Sequence, residues 1–159
     1  MIIYHGSNCD FNDIDLSKSK DKRDFGKGFY LTTDWQQAED WARKLFRRYG
    51  GAGIFVYEYT FEPNLYLSNK HFGDIANEEW LTMIKENRKN GGIQHNFDVV
   101  QGKVADWLAA AVISDFIDGI YTIPETIIRL KTENLIDQLS FHTSKAIKCL
   151  TLNKKHVLK

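Results

Sequence analysis

The sequence predicts a single α+β domain. Its 159 residues match the length of one ordinary domain, and no repeat or proline-rich linker divides them. Hydrophobic residues make up 43% of the chain, which is enough for one sizeable core. Predicted strands and helices follow one another without the regular strand–helix–strand repeat of a doubly wound parallel sheet. These observations place residues 1–159 in one α+β domain.

Four elements are predicted in the first part of the chain. Strands are expected over residues 2–5, 29–32 and 54–61. A helix is expected to begin at Asp34 and to end at Gly50, since Asp34 and Gln37 have the spacing of a capping box and apolar residues recur at helical intervals. Residues 8–27 form a long polar connection, and loops of this length in a compact domain are commonly functional.

The remaining residues predict a further mixture of helices and strands. Helices are expected over residues 77–87, 105–117, 122–134 and 144–150. Strands are expected over residues 97–100 and 139–142 and in the C-terminal tail. Thr122 and Glu125, on either side of Pro124, repeat the capping-box spacing at the start of one of these helices.

The composition excludes several classes of protein. No apolar run approaches the roughly 20 residues that a membrane-spanning helix needs, and the chain turns polar at His5, too early for a secretory signal peptide. We therefore expect a cytoplasmic protein without a membrane partner. Cys9 and Cys149 lack the spacing of metal ligands and are interpreted as free thiols, so no metal site is expected.

The charges are balanced, with 21 basic and 21 acidic side chains. A protein that binds nucleic acid mainly through phosphates usually has a basic excess, so the sequence favours a protein over a nucleic acid as macromolecular partner. Local basic clusters at residues 18–23 and 43–48 are interpreted as solvated, salt-bridged surface. Attraction of a diphosphate is the alternative for one or two of these side chains.

Three segments carry side chains suited to chemistry. They are residues 4–7, residues 24–33 together with Trp41, and residues 138–143. Each segment alone also has a structural interpretation, because histidines at strand ends, glycines in turns and aromatic core residues are common in proteins. Trp41 lies at the edge of the apolar stripe of its helix, where a ring that lines a cleft is expected.

Taken together and in this order, the segments resemble the ADP-ribosyltransferase superfamily of the diphtheria-toxin and poly-ADP-ribose-polymerase type, the H-Y-E group. The matching residues are His5-Gly6, Gly28-Phe29-Tyr30 and the second aromatic residue, Trp41. Over nearly the whole chain the sequence also resembles domain-of-unknown-function family 3990, an uncharacterised bacterial family of this fold. The segments of that resemblance are YHGS, DFGKGFYLTT, QQAEDWA, FDVVQGKVAD and QLSFHT.

The resemblance implies split antiparallel β-sheets around an NAD⁺ cleft, with flanking helices. It gives His5 a hydrogen bond to a hydroxyl of the adenosine ribose and the Gly6 backbone a contact with the nicotinamide carboxamide. Tyr30 and Trp41 are expected to stack on the two faces of the nicotinamide ring. Arg23, in the long loop, is expected to pair with the diphosphate through its guanidinium fork. The expected cofactor-binding residues are His5, Gly6, Ser7, Arg23, Gly28, Phe29, Tyr30 and Trp41.

The late acidic residue of the H-Y-E group is replaced in this chain by Gln138, which the pattern places at the start of a strand. The expected catalytic residues are therefore His5, Tyr30 and Gln138. Glutamine can hold a ribose hydroxyl but cannot accept a proton as a general base, and by resemblance this favours transfer of a single ADP-ribose unit. A strand-capping role is the alternative for Gln138. Asp98 and Asp106, at the two ends of a predicted turn, are additional candidates for the missing charge, and helix capping is the alternative for Asp106.

The expected activity is mono-ADP-ribosylation of a macromolecule, with NAD⁺ as the substrate. The resemblance also implies a toxin of a bacterial toxin–antitoxin pair, with a small antitoxin protein as partner. Two alternatives stay open, namely an NAD⁺ glycohydrolase and an NAD⁺-binding module that has lost catalysis. An RNA phosphotransferase of the same fold fits less well, because that chemistry depends on several basic residues and the chain has no basic excess.

Overall fold

The computed structural model describes residues 1–105, 107–131 and 135–159 and confirms an α+β fold. Over these residues the chain forms seven strands, five α-helices and a short 3₁₀ helix, Leu16–Lys18. The strands are β1 (Ile2–Ser7), β2 (Phe29–Thr32), β3 (Ile54–Phe61), β4 (Asn69–His71), β5 (Val99–Ala105), β6 (Leu135–Phe141) and β7 (Leu150–Leu158). The helices are α1 (Trp35–Tyr49), α2 (Glu78–Asn90), α3 (Trp107–Ile117), α4 (Ile123–Leu130) and α5 (Ser144–Ile147).

The strands form one mixed sheet in the order β4-β5-β6-β2-β1-β3-β7. Neighbouring strands are antiparallel except β4 and β5, which run parallel. The expectation of split antiparallel sheets is therefore not confirmed, because the described strands lie in one sheet and one of its pairs is parallel. A single register pair, Tyr4 with Thr32, joins β1 to β2, whereas β1 pairs with β3 from Ile2 to Ser7. The sheet is thus continuous, but a single residue pair connects β1 with β2.

Strand boundaries agree with the prediction where the sequence is apolar and differ where polar residues join the sheet. β2 and β3 have the predicted limits. β5 continues to Ala105, so the predicted turn after Val100 and the helix start at residue 105 are wrong, because these residues pair one by one with β6. β7 begins at Leu150, which the prediction gave to a helix. α4 ends at Leu130, and residues 132–134 of its predicted extent lie outside the described residues.

The predicted capping residues begin their helices. The Asp34 carboxylate accepts a hydrogen bond of 3.0 Å from the backbone N–H of Gln37 at the start of α1. Thr122 and Glu125 form a reciprocal capping box at the start of α4. These side chains satisfy backbone donors that have no partner within the helix, which fixes where α1 leaves β2.

The two faces of the sheet bury separate clusters. Trp80, Ile84 and Ile113, from α2 and α3, are buried on one face. Ile3 and Tyr57 are buried in the cluster on the other face. Both cysteines are free thiols, and none of the described helices is long and apolar enough to cross a membrane.

Candidate functional site

A cavity of about 530 Å³ opens where β1 and β2 separate. Its walls come from these two strands, from the long connection between them and from α1. The eight residues that the sequence assigns to cofactor binding all line it: His5, Gly6, Ser7, Arg23, Gly28, Phe29, Tyr30 and Trp41. The cavity volume falls in the usual range for small-molecule sites. The fold therefore brings β1, the long connection, β2 and α1 to one ligand-sized space.

The cavity forms because the pairing of β1 with β2 stops early. Beyond the pair of Tyr4 and Thr32, β1 has β3 on one side and the cavity on the other. Side chains alternate between the faces of a sheet, so the register places His5 and Tyr30 on opposite faces. Both side chains still border the gap between the strands, and Trp41 reaches the same gap from α1.

His5 lies across the gap as a neutral imidazole. Its Nδ1 donates a hydrogen bond of 2.7 Å to the backbone carbonyl of Tyr30, and its ring centroid lies 4.3 Å from that of Phe29. Burial lowers the pKa of His5 to about 4, and the nearby Arg23 cation acts in the same direction. A neutral ring that donates through Nδ1 presents Nε2 as an acceptor, which suits a ligand hydroxyl.

The Tyr30 hydroxyl is engaged by the protein itself. It donates a hydrogen bond of 2.6 Å to the Gly26 carbonyl and accepts one of 3.1 Å from the Phe25 N–H. Burial raises the pKa of Tyr30, so the hydroxyl stays protonated. The hydroxyl thus fixes the turn before β2, and the face of the Tyr30 ring is the part that lines the cavity.

Arg23 lies against two aromatic rings of the cavity. Its guanidinium carbon is 5.5 Å from the Tyr30 ring centroid and 5.7 Å from the Trp41 ring centroid, within the range of cation–π contact. In the part of the chain that the structure describes, Arg23 makes no ion pair with a carboxylate. The planar guanidinium cation of Arg23 therefore contacts both of the rings that, by resemblance, are expected to stack on the nicotinamide.

Two glycines of the site are required by packing. A Cβ on Gly6 would overlap the carbonyl oxygen of Ala38, because α1 packs directly on β1 at this point. A Cβ on Gly28 would lie 2.8 Å from Nδ1 of His142 and 2.8 Å from the carbonyl oxygen of Phe141. The absence of side chains at both positions lets α1 and β6 approach the cavity walls closely.

Two histidines hold the turn that precedes β2: the buried His142, for which the sequence predicts a structural role, and the half-buried His95, to which it assigns none. His142 donates through Nδ1 to the Lys27 carbonyl, and His95 donates through Nε2 to the Phe25 carbonyl, each at 2.8 Å. Burial lowers the pKa of both imidazoles, that of His142 to about 4. These neutral side chains position Tyr30, and no spacing in the sequence links them to it.

Gln138 does not line the cavity, contrary to the expectation from the sequence. Because β6 begins at Leu135, Gln138 is its fourth residue, not its first, and lies in register with Thr32 of β2 and Gly102 of β5. The cavity lining on β2 includes Tyr30 but not Thr32. Gln138, the expected substitute for the late acidic residue, therefore lies on β6 outside the cavity.

The two additional acidic candidates are not part of the described cavity lining either. Asp98 accepts a hydrogen bond of 2.8 Å from the Ser68 N–H and forms an ion pair of 2.8 Å with Lys145. These contacts join the start of β5 to neighbouring segments, which gives Asp98 a structural role. Asp106 lies outside the described residues.

Three carboxylates from the long loop line the cavity, and the sequence pattern assigned a role to none of them. Asp10 forms an ion pair of 2.7 Å with Lys155, and Asp15 accepts a hydrogen bond from Ser17 at the 3₁₀ helix. Asp13 has no hydrogen bond or ion pair to any residue that the structure describes. The aspartate-rich composition of residues 8–27 is the signal that could have identified them.

The fold and the cavity together define an α+β protein with a ligand-sized cleft beside the bridge between the two halves of one mixed sheet. The chain matches the family model described as Protein of unknown function (DUF3990) over residues 1–152 and belongs to that family. No curated protein and no solved structure matches the chain. In the described ranges, no three His, Cys, Asp or Glu side chains are grouped so as to hold a metal ion.

Proposed function

We propose that the protein is an NAD⁺-dependent mono-ADP-ribosyltransferase that modifies a macromolecular acceptor. The observation that carries the proposal is the contact of the Arg23 guanidinium with both Tyr30 and Trp41, in the cavity that also contains His5. The nicotinamide ring of NAD⁺ is likewise a flat cation, so the same ring faces attract it. The resemblance to H-Y-E transferases supports the same assignment and extends it to the toxin of a toxin–antitoxin pair.

In the proposed complex the nicotinamide replaces Arg23 between the two rings, and Arg23 turns to the diphosphate. Because Arg23 has no carboxylate partner among the described residues, it moves without breaking an ion pair. Its planar fork suits bidentate hydrogen bonds to phosphate oxygens. The exchange keeps a cation against the rings and adds a charge-assisted contact, which favours the bound state.

The transfer breaks the bond between ribose C1′ and the nicotinamide nitrogen, whose electron pair leaves with nicotinamide. The nucleophile of the acceptor forms the new bond to C1′ and releases its proton to solvent. Positive charge develops on the ribose as in glycoside hydrolysis, where carboxylates stabilise it. We assign that role to Asp13, the cavity-lining carboxylate without a hydrogen bond or ion pair in the described part of the chain. His5 accepts a hydrogen bond from a ribose hydroxyl through Nε2.

The proposal is tested by incubating the protein with a cell lysate and NAD⁺ labelled in its adenylate half. Label in the macromolecular fraction is the expected result. Release of nicotinamide with label only in free ADP-ribose would identify an NAD⁺ glycohydrolase instead. Binding of NAD⁺ without turnover would identify a module that has lost catalysis, and either of these results contradicts the transferase.

The same assay distinguishes the two candidates for the missing carboxylate. Asp13→Asn is expected to lower the transfer rate by about tenfold or more, because it removes the negative charge and keeps the shape. Gln138→Ala serves as the matched control and is expected to stay within about twofold of the wild-type rate, since Gln138 lies outside the cavity. A full rate for Asp13→Asn with a severe loss for Gln138→Ala would reverse the assignment.

A further inference from the structure

One face of α1 carries two aromatic and two basic side chains beside the cavity. Trp41, Lys44, Leu45, Arg48 and Tyr49 are spaced at intervals of three and four residues, which places them on one side of the helix. We call this set the α1 rim. The backbone positions of its two aromatic residues are about 12 Å apart along the helix axis, from the rise of an α-helix. Three of its members, Trp41, Leu45 and Tyr49, line the cavity itself.

Each ring of the α1 rim is in contact with two cations. The centroid of the Tyr49 ring lies 5.4 Å from the Lys20 ammonium and 5.3 Å from the Arg48 guanidinium carbon. The centroid of the Trp41 ring lies 5.6 Å from the Lys44 ammonium, and Arg23, from the long loop between β1 and β2, contacts the same ring. The rings remain accessible, with 61% of Tyr49 and 36% of Trp41 exposed.

Three basic side chains have no carboxylate partner among the described residues, namely Lys44 and Arg48 of the α1 rim and Lys20 of the neighbouring loop. Arg43, on another face of α1, is by contrast paired with Glu39. Although the whole chain has equal numbers of acidic and basic side chains, a local basic surface therefore lies at the opening of the cavity.

We propose that the α1 rim binds single-stranded nucleic acid and that this strand is the macromolecular acceptor. Unpaired bases stack on exposed aromatic rings, and the phosphates between them attract unpaired cations. An acidic protein segment would satisfy the cations but would leave the rings unused, and a duplex keeps its bases stacked on one another. The binding follows from the surface alone, whereas the role as acceptor rests on the function proposed above.

The proposal reverses the expectation of a protein acceptor. That expectation came from the overall charge, which is zero, but recognition depends on the charges that lie beside the site. Because the α1 rim includes Trp41, a strand bound along the rim would place a nucleotide next to the ribose of the bound NAD⁺. Tyr49 then stacks a base, while Trp41 remains with the nicotinamide.

The test measures binding without NAD⁺, so that its result does not depend on catalysis. Fluorescently labelled single-stranded DNA and RNA oligonucleotides of mixed sequence, about 12 nucleotides long to cover one such site, are titrated with the full chain, and anisotropy is recorded at several salt concentrations. Engagement of about four cations predicts a slope of about −3 for log affinity against log salt. Tyr49→Ala is expected to weaken binding about tenfold, and the double variant Lys44→Glu/Arg48→Glu more strongly, with a shallower salt slope.

Matched controls place the same changes elsewhere on the surface. Tyr66→Ala removes a tyrosine that is 86% exposed and lies outside the cavity, and Lys131→Glu/Lys148→Glu reverses two charges outside the α1 rim. Both controls are expected to keep wild-type affinity. Absence of oligonucleotide binding at about 0.1 M salt, or equal losses in rim and control variants, would overturn the proposal.

The labelled-NAD⁺ assay separates this inference from the function itself. Label in the macromolecular fraction that nuclease removes supports a nucleic-acid acceptor. Label that resists nuclease and is removed by protease would identify a protein acceptor, overturning the inference while the transferase assignment stands. Rim-dependent oligonucleotide binding without any NAD⁺ cleavage would leave the binding surface in place and refute the transferase.

Discussion

Replacement of Tyr30 by alanine is expected to reduce NAD⁺ cleavage by about a hundredfold or more. Two effects combine: the variant loses the ring that we propose to stack on the nicotinamide, and it releases the turn at Phe25 and Gly26 that the Tyr30 hydroxyl holds. A small displacement of the site is by itself able to slow a reaction severely. Chromatographic measurement of nicotinamide release checks the expected rate.

Tyr30→Phe separates the ring from the hydroxyl. The variant keeps the stacking surface and loses the two hydrogen bonds, so we expect a loss of about 1–3 kcal/mol in the free energy of unfolding and less than about a tenfold loss in rate. Circular dichroism establishes that each variant is folded. A folded Tyr30→Ala protein with the wild-type rate would exclude Tyr30 from the site.

Gly6→Ala is expected to destabilise the fold more than either substitution of Tyr30. The added methyl group would overlap the Ala38 carbonyl oxygen of α1, and backbone atoms of a helix cannot rotate away as a side chain can. Overpacking of this kind costs about 3 kcal/mol or more in the free energy of unfolding. For a chain of this length, that loss lowers the melting temperature by about 10 °C.

A change at an unconfined glycine provides the control. Gly119 has a φ of +80°, and among the described residues no heavy atom beyond its two chain neighbours lies within 4 Å of the position that a Cβ would take there. Asparagine tolerates this backbone conformation. Gly119→Asn is therefore expected to shift the melting temperature by only a few degrees. If Gly6→Ala melts like the wild-type protein, α1 does not pack on β1 as described.

The sequence predicts the regular elements of this fold better than their arrangement. β2 and β3 have strong apolar patterns, and Asp34 and Thr122 mark their helix starts by cap chemistry, so local physics is sufficient there. The joining of the strands into one sheet depends on the single pair of Tyr4 with Thr32. Residues far apart in the chain make that contact, and no local pattern encodes it.

The sequence likewise predicted some residues of the candidate site and not others. His5, Tyr30 and Trp41 were identified because a spaced pattern of residue types carries the resemblance, and the cavity contains all three. Gln138 was placed in the site because the resemblance puts the late acidic residue at this position, but in the fold Gln138 pairs with Thr32 and does not line the cavity. Asp13 was missed because a carboxylate in a polar loop has no periodic or motif signal before the loop folds over the cavity.

The proposed activity depends above all on the binding of a flat cation by Tyr30 and Trp41, which calorimetric titration with NAD⁺ and with NADH measures. The dihydronicotinamide ring of NADH is uncharged, so cation–π attraction predicts tighter binding of NAD⁺ by about fivefold, or roughly 1 kcal/mol. In Trp41→Ala the affinity for NAD⁺ is expected to fall and the preference over NADH to shrink. Equal affinities of the wild-type protein for both dinucleotides, or no binding of either, would refute a cation site between these two rings.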